Sequence, residues 1–507
     1  MTWDQSEYHS VQVGRLLRQS LGINIDIPIH LTGLALDSRK VSFGNGFFAL
    51  NGNDEQGHKY IDKAINNGAL AVFADQCSEY ETITYRRDVP IIPIDKLSDH
   101  VGKIVDVFYY HPSSHIQVIG VTGTNGKTSV AYLIAAAFNS LGKVSAYSGT
   151  LGMGFVPGAM SHSGMTTPDS IALHKWLAEI SQKGAEIVAM EVSSHSLKQK
   201  RVAGIRFDTA VFTNLSEEHQ DYHDSLEDYA QTKSSLFEDP GLDSMVVNLD
   251  DALGRKIISN HTTNAKVVGY SLEKNESGLL DSIVASHVKS SLKGLSCDVN
   301  TPKGKGRLKS SLIGLFNLEN LLAALGVLLK HEVPLVDALN ALGQIDRIPG
   351  RMEYFGGGTK PNVYVDYAHT PDGLLKVLSS LRKKCKGQLW CVFGAGGDRD
   401  SSKRFSMGQV SERFSDRVIL TNDNPRSECP RAIVEDIMAG MVCSWACEVE
   451  LNRAAAIAQA IGQAKAGDIV LIAGKGHETY QEVMGIKHVF DDIEVVKLQL
   501  SLQAGAV

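Results

Sequence analysis

Lys127 and Thr128 follow a glycine-rich turn in VIGVTGTNGKTSVAYLIAAAF (118–138), a string that holds the parts of a phosphate cradle. Gly123 and Gly126 let the backbone curl and present N–H groups to a polyphosphate. Thr124, Asn125 and Ser129 complete the loop and the first turn of the following helix, whose N-terminal end adds positive charge. Lys127 suits the β- and γ-phosphates of a nucleotide, and the Thr128 hydroxyl suits Mg²⁺. The strict pattern G-x-x-x-x-G-K-[ST] fails at one position, because Val121 stands where its first glycine belongs. The alternative is a chance glycine turn, against which strand, loop, Lys-Thr pair and helix all coincide.

A nucleotide-borne magnesium takes hard oxygen ligands, few of them from protein. Glu191 ends the apolar run EIVAMEV (186–192), where an unpaired carboxylate is costly, and is a candidate ligand. A salt-bridged carboxylate near a surface turn is the other reading. His219 in NLSEEHQDYH is a second candidate, or an ordinary loop histidine. Lys233, taken by its neighbours alone, reads as an exposed helical lysine pairing with Asp228 or Glu238.

Such groups need a rigid frame. From Ile116 onward, apolar runs alternate with amphipathic helices: IQVIGV, EIVAMEV, FDTAVFTNL and SMVVNL, then NVYVDYA, QLWCVFGA, DRVILTN and DIVLIAG. Strands buried on both faces of a mostly parallel sheet read this way. Polar clusters recur where these runs end, the place where open α/β sheets bind ligands. YYHPSSH (109–115) and IDRIPGR (345–351) look like a linker and a hinge. The pattern predicts an α/β protein of three domains, over 1–113, 114–347 and 348–507. The polar stretch 271–310 reads as an antiparallel excursion or flexible insertion.

Composition fits that division. At about 150 residues per domain, 507 residues suggest roughly three. Lys+Arg 50 against Asp+Glu 57 leaves a net charge of −7, which argues against a general nucleic-acid binder while leaving local anion sites open. No run reaches the roughly 18 apolar residues of a membrane span, and MTWDQSEYHS lacks a secretory profile. Seven scattered cysteines without a C-x-x-C pair suggest free thiols in a reducing cytosol. The expectation is a cytoplasmic monomer with small-molecule substrates, no nucleic-acid partner and no membrane insertion.

TGTNGKT (122–128), MEVSSHSL (190–197), TNLSEEHQDYH (213–223), YAQTKSSLF (229–237), NLEN (317–320), GRME (350–353), DYAHTPD (366–372), GAGGDRD (394–400), DNPR (423–426) and AGKGHE (473–478) occur in order along almost the whole chain. In this the sequence resembles the Mur ligases, ATP-dependent amide-bond-forming enzymes of peptidoglycan synthesis. The resemblance implies a UDP-binding first domain, a central ATPase domain and a Rossmann-like third. It implies addition of meso-2,6-diaminopimelate to the D-glutamate of UDP-N-acetylmuramoyl-L-alanyl-D-glutamate through an acyl phosphate, giving ADP and phosphate. Lys127, Glu191, His219 and Lys233 would be the catalytic set. Thr128 and Glu191 would hold one Mg²⁺, and Glu191, His219 and Lys233 a second. A cationic lysine repels a metal, and in the family the matching lysine is carbamylated by CO₂, which makes it an oxygen-donating anion.

By the same resemblance Asn320 contacts adenine, and Arg351 and Asp366 address phosphate and ribose across the hinge. Leu36 and Ser38 map onto the uridine-diphosphate site, with Asn53 and Asp54 nearby; Asp37 and Arg39 contribute there or cap a turn. Thr166, Thr167, Ser193, Gln199 and Arg201 match positions contacting the muramoyl dipeptide. Diaminopimelate differs from lysine by a carboxylate, so a selective site offers extra guanidinium. Arg426, with Asp423, Asn424 and Pro425, and Arg399 supply it; Gly474 and Glu478 would hold the distal ammonium. Cys429 stands where the family more often has an acidic residue, placing a thiol near that pocket. The competing readings are a lysine-adding or folylpolyglutamate-type ligase, and a P-loop NTPase switch.

Overall fold

The computed structural model describes residues 10–51, 57–77, 79–161, 164–216, 222–272, 281–442 and 447–503. Three α/β units follow one another along the chain, each on its own sheet. In the first, Gly33–Ala35, Asn45–Ala49, Ala71–Asp75 and Val89–Ile94 are parallel, with Thr84–Arg86 antiparallel at the edge. Alternate residues of one strand feed opposite cores: Phe48 packs with Leu17, Phe73 and Ile104, whereas Phe47 packs with Val72 and Tyr80.

Among the described residues the central sheet has ten strands. Ser145–Gly149, Ile187–Glu191, Gln117–Thr122, Thr209–Phe212, Ser244–Asn248, Lys266–Ser271 and Asp281–Ser291 lie side by side in that order, all parallel. Apolar side chains go to both faces, as runs without alternation require. The helices Lys127–Ser140 and Leu315–Lys330 cover one face, and Ser170–Gln182 lies on the other. Over its described part, 281–310, the polar stretch is an antiparallel excursion of this sheet: Gly294–Thr301 and Gly304–Ser310 continue from Asp281–Ser291 and widen it at one edge.

In the third sheet the order is Glu353–Gly356, Asn362–Asp366, Ile469–Ala473, Leu389–Phe393, Arg417–Leu420 and Cys447–Val449, parallel except for the first strand. DYAHTPD, AGKGHE, GAGGDRD and NDNPR therefore leave neighbouring strand ends on one side. Arg453, at the start of the helix Arg453–Gln463, ties two of those ends together. Its guanidinium donates to the carbonyls of Asn422 (3.3 Å) and Ala473 (3.0 Å) and makes a bidentate pair with Asp492, both contacts at 2.7 Å and both side chains fully buried. Asp492→Ala leaves that charge uncompensated. It is expected to lower the unfolding free energy by about 3–5 kcal/mol, read by chemical denaturation.

Candidate active site

The strand Gln117–Thr122 lies between Ile187–Glu191 and Thr209–Phe212, with Val121 level with Glu191 and Thr122 with Phe212. The loop leaving it thus emerges beside Glu191. Gly123 (φ 141°) and Gly126 (φ 88°) adopt left-handed conformations, and a Cβ on Gly126 would stand 2.6 Å from Asn320 Oδ1. Thr124 N donates to Asn214 O (2.7 Å) and Asn125 N to Asn214 Oδ1 (3.0 Å), which fixes the loop. Lys127 folds back over it, donating to the carbonyls of Gly123 (2.9 Å) and Thr124 (2.7 Å).

Lys233 is only 1% exposed, and its Nζ donates to the same Gly123 carbonyl at 2.8 Å while lying over the Tyr229 ring. The solvated-helix reading of this lysine is overturned, because the helix Leu226–Ser234 turns it inward; Asp228 instead pairs with Lys198 and His223. Two ammonium groups converge on one carbonyl oxygen.

Glu191 is likewise buried, with no basic side chain paired to it among the described residues. Its Oε1 accepts from Tyr147 Oη and from Thr150 N (2.8 Å), and its Oε2 from Thr150 Oγ1 (3.2 Å). Burial, reinforced by the adjacent carboxylate, holds the Tyr147 phenol far above its ordinary range, so it stays a proton donor. His219 lies outside the described residues. Among those described, no cluster of three or more His, Cys, Asp or Glu could hold a metal unaided. Glu191 and the Thr128 hydroxyl supply hard oxygens, a donor set that fits a cation carried in on phosphates.

The third unit closes on this loop. Arg351 Nη2 donates to Thr128 Oγ1 (2.9 Å), Asn125 Nδ2 to Asp372 Oδ2 (2.8 Å) and Ser216 Oγ to the same oxygen (3.3 Å). Arg351 lies over the Tyr367 ring, and its buried Nε has no hydrogen-bond partner among the described residues. Asp366 accepts from the amides of Met352 (2.7 Å) and Ala368 (2.8 Å), and burial pushes its carboxyl up. Asn125, Ser129, Asn320, Arg351, Asp366 and Lys376 line one cavity between the two units. Asn320, on the helix Leu315–Lys330, donates from Nδ2 to Asn317 Oδ1 (3.2 Å). Arg351→Ala is expected to raise the KM for ATP about tenfold, as loss of one charge-assisted hydrogen bond implies, and to reduce compaction by nucleotide in small-angle scattering.

Two further clusters are assembled. Thr167 Oγ1 donates to Glu191 O (2.9 Å) and accepts from Ser193 N (3.3 Å); Thr166 Oγ1 accepts from Thr150 Oγ1 (3.3 Å). Arg201 reaches Thr167 O (3.0 Å) and Gln199 Oε1, so Thr167, Ser193, Gln199 and Arg201 are linked directly, and Thr166 joins them through Thr150 and Glu191. In the third unit Asn424 is a hub: Oδ1 accepts from Lys475 Nζ (3.1 Å) and Glu482 N (2.9 Å), and Nδ2 donates to Glu478 Oε2 (2.8 Å). Lys475, fully buried, also donates to Glu478 (2.7 Å). Arg426 is half-buried, with Nη1 on Gly397 O (2.6 Å) and Nε 3.4 Å from Glu482. Asp423 Oδ2 is buried with no partner among the described residues, and Gly474 leaves it room: a Cβ there would approach to 2.4 Å. Arg399 is exposed beside Gly396, Pro425 shapes the turn, and Cys429 is an exposed free thiol at the start of the next helix.

Leu36 and Ser38 lie apart, in a first-unit pocket that Phe47, Tyr60 and Lys63 also line. Asp37 and Arg39 do cap the turn there, in a bidentate pair that holds the Asp37 carboxyl down at about 2. Asn53 and Asp54 lie outside the described residues.

A phosphate loop bridged to a second α/β unit through Arg351 and Asp372 is the scaffold of an ATP-using ligase, and the chain belongs to the Mur ligase family. Residues 121–328 match the Mur ligase middle domain, 350–476 the Mur ligase glutamate ligase domain and 30–109 the Mur ligase family catalytic domain. The chain is 45% identical over 490 residues to the UDP-N-acetylmuramoyl-L-alanyl-D-glutamate–2,6-diaminopimelate ligase of Coxiella burnetii, covering 96% of this chain and 100% of that one. It is 45% identical over 468 residues to the Pseudomonas aeruginosa protein of that name, covering 92% and 94%. A solved structure bearing the same enzyme name superposes with a TM-score of 0.70 at 35% identity, covering 97% and 100%. The MurF ligase of Thermotoga maritima, solved with ADP, shares the fold at 17% identity, with a TM-score of 0.62 and coverage of 93% and 98%.

Tyr147, Thr150, Asp372, Lys475, His477 and Glu482 escaped the sequence reading. Asp372, Lys475 and His477 sit inside DYAHTPD and AGKGHE, which singled out the segments but not these side chains. Tyr147 and Thr150 carry no local signal; only the fold brings them to Glu191.

Proposed function

We propose that this chain joins meso-2,6-diaminopimelate to the D-glutamate of UDP-N-acetylmuramoyl-L-alanyl-D-glutamate, cleaving ATP to ADP and phosphate. The observation that carries the reading is the Asn424–Arg426–Glu478 cluster on a domain tied to the phosphate loop by Arg351. The substrate carboxylate attacks the γ-phosphate, and the amine of the incoming amino acid then displaces phosphate from the acyl phosphate. Two anions must meet in the first step, so Lys127 and Arg351 supply positive charge where it develops. Thr166, Thr167, Ser193, Gln199 and Arg201 orient the dipeptide, and Leu36 and Ser38 hold its uridine-diphosphate end. Asn320 and Asp366 receive the nucleoside, and closure of the third unit keeps water from the acyl phosphate.

Thr128 and Glu191 would hold a Mg²⁺, and Glu191, His219 and Lys233 a second, which when bound neutralises phosphate charge. The two ammonium groups sharing the Gly123 carbonyl support carbamylation of Lys233, which would replace one of them with an oxygen-bearing anion. Arg426 and Arg399 would receive the extra carboxylate of diaminopimelate, and Glu478, Asp423 and Gly474 the distal ammonium. The reading is of a monomeric cytoplasmic enzyme; among the described residues no helix is long and apolar enough to cross a membrane.

The test is competition between meso-diaminopimelate and L-lysine, with ATP and the UDP precursor supplied. Tripeptide formation from diaminopimelate, with phosphate release dependent on both acceptor and amine, is the expected result. Preferential lysine incorporation, or phosphate release without either substrate, overturns it.

A further inference from the structure

His477 lies between the two residues of AGKGHE that the function uses for the amino acid and for nothing else, yet its side chain leaves that pocket. Its Nε2 is 3.0 Å from the carbonyl oxygen of Thr150, in the central unit. A carbonyl only accepts, so Nε2 carries the hydrogen. Thr150 in turn grips Glu191 at both carboxylate oxygens, through its amide (2.8 Å) and its hydroxyl (3.2 Å). The next residue, Glu478, is held by Lys475 and Asn424. The imidazole also packs against Tyr367, whose ring carries Arg351. Gly350 brings the hinge backbone so close that a Cβ there would stand 2.2 Å from His477 N. One short path therefore runs from the amino-acid cluster to the loop that aims Glu191, covalent from Glu478 to His477 and hydrogen-bonded from His477 to Thr150 and on to Glu191.

We propose that His477 is a positioning residue that couples the amino-acid site to the metal–nucleotide site, acting on Glu191 through Thr150. The inference rests on the function proposed above for the identity of the amino acid, and on the His477–Thr150–Glu191 geometry for the coupling itself. A partner that orients a metal ligand from behind typically matters about tenfold or more to metal affinity. Coupling between two sites appears as a factor by which one ligand tightens the other.

The experiment measures binding, not turnover, on the full chain. Manganese affinity is read by electron paramagnetic resonance with a non-hydrolysable ATP analogue bound. Affinity for meso-diaminopimelate is then read by calorimetry with and without that manganese–nucleotide pair. Three variants are compared: His477→Ala, His477→Phe, which keeps ring volume without the donor, and His477→Gln, which keeps an N–H donor. In the wild type the pair is expected to tighten diaminopimelate about tenfold. His477→Ala and His477→Phe should bring that factor near one and weaken manganese about tenfold, while His477→Gln restores most of both. Wild-type values for manganese affinity and for the tightening factor in His477→Ala or His477→Phe overturn the proposal, as does a His477→Gln protein no better than His477→Phe. Should the wild type bind no diaminopimelate in any state, the proposed function falls, and the manganese affinities alone decide the role of His477.

Discussion

Lys233→Ala is expected to lower turnover by about a thousandfold, the scale on which loss of one group stabilising transition-state charge is felt. The lysine is buried against the phosphate loop, on the same carbonyl as Lys127. Removing it takes away the anion its carbamate would provide, and opens a small cavity beside Tyr229. A short carboxylic acid that enters this cavity should restore part of the rate, because it returns the oxygen donors without the chain that carried them. Steady-state phosphate release checks both statements, with a thermal melt to show the variant folded. Undiminished turnover in Lys233→Ala would remove the lysine from the mechanism.

The second large effect concerns selectivity. Arg426→Ala should raise the KM for meso-diaminopimelate by about a hundredfold, as loss of a charge-assisted pair implies, with the KM for ATP unchanged. Discrimination against lysine should fall in step, because under the proposed function lysine would leave this guanidinium without its carboxylate partner. Arg426→Lys should recover little. The planar fork keeps Nη1 on Gly397 and Nε beside Glu482 while offering its remaining donors, and an ammonium cannot divide itself in that way. Product analysis from mixed amino acids reads the ratio directly. An unchanged ratio would place selectivity elsewhere in the pocket.

Much of the frame was legible because its signals are local. Apolar runs without alternation announced parallel strands buried on both faces, and Gly123 and Gly126 announced a loop that only left-handed backbone allows. The three-unit α/β architecture and the family membership followed from motif order. What escaped depends on distance in sequence. Nothing around residue 233 distinguishes an inward lysine from a solvated one; that is decided by the docking of its helix on the loop, where the buried Tyr229 hydroxyl meets Thr124. The Thr150–Glu191 and Asn125–Asp372 contacts join segments far apart in sequence, so no window on the chain contains them. The same limit explains why Asn424 was named as a ligand but not as a hub.

That hub has a chemical consequence for the lifetime of the protein. Asparagine ages by spontaneous deamidation, in which the nitrogen of the following peptide bond attacks the side-chain amide and a cyclic imide forms. Here the following residue is Pro425, whose ring nitrogen bears no hydrogen to give up. The route is closed at Asn424. An aspartate there would set an oxygen against Glu478 Oε2, where an N–H now donates, so a residue that could least tolerate the conversion is placed where it cannot readily occur.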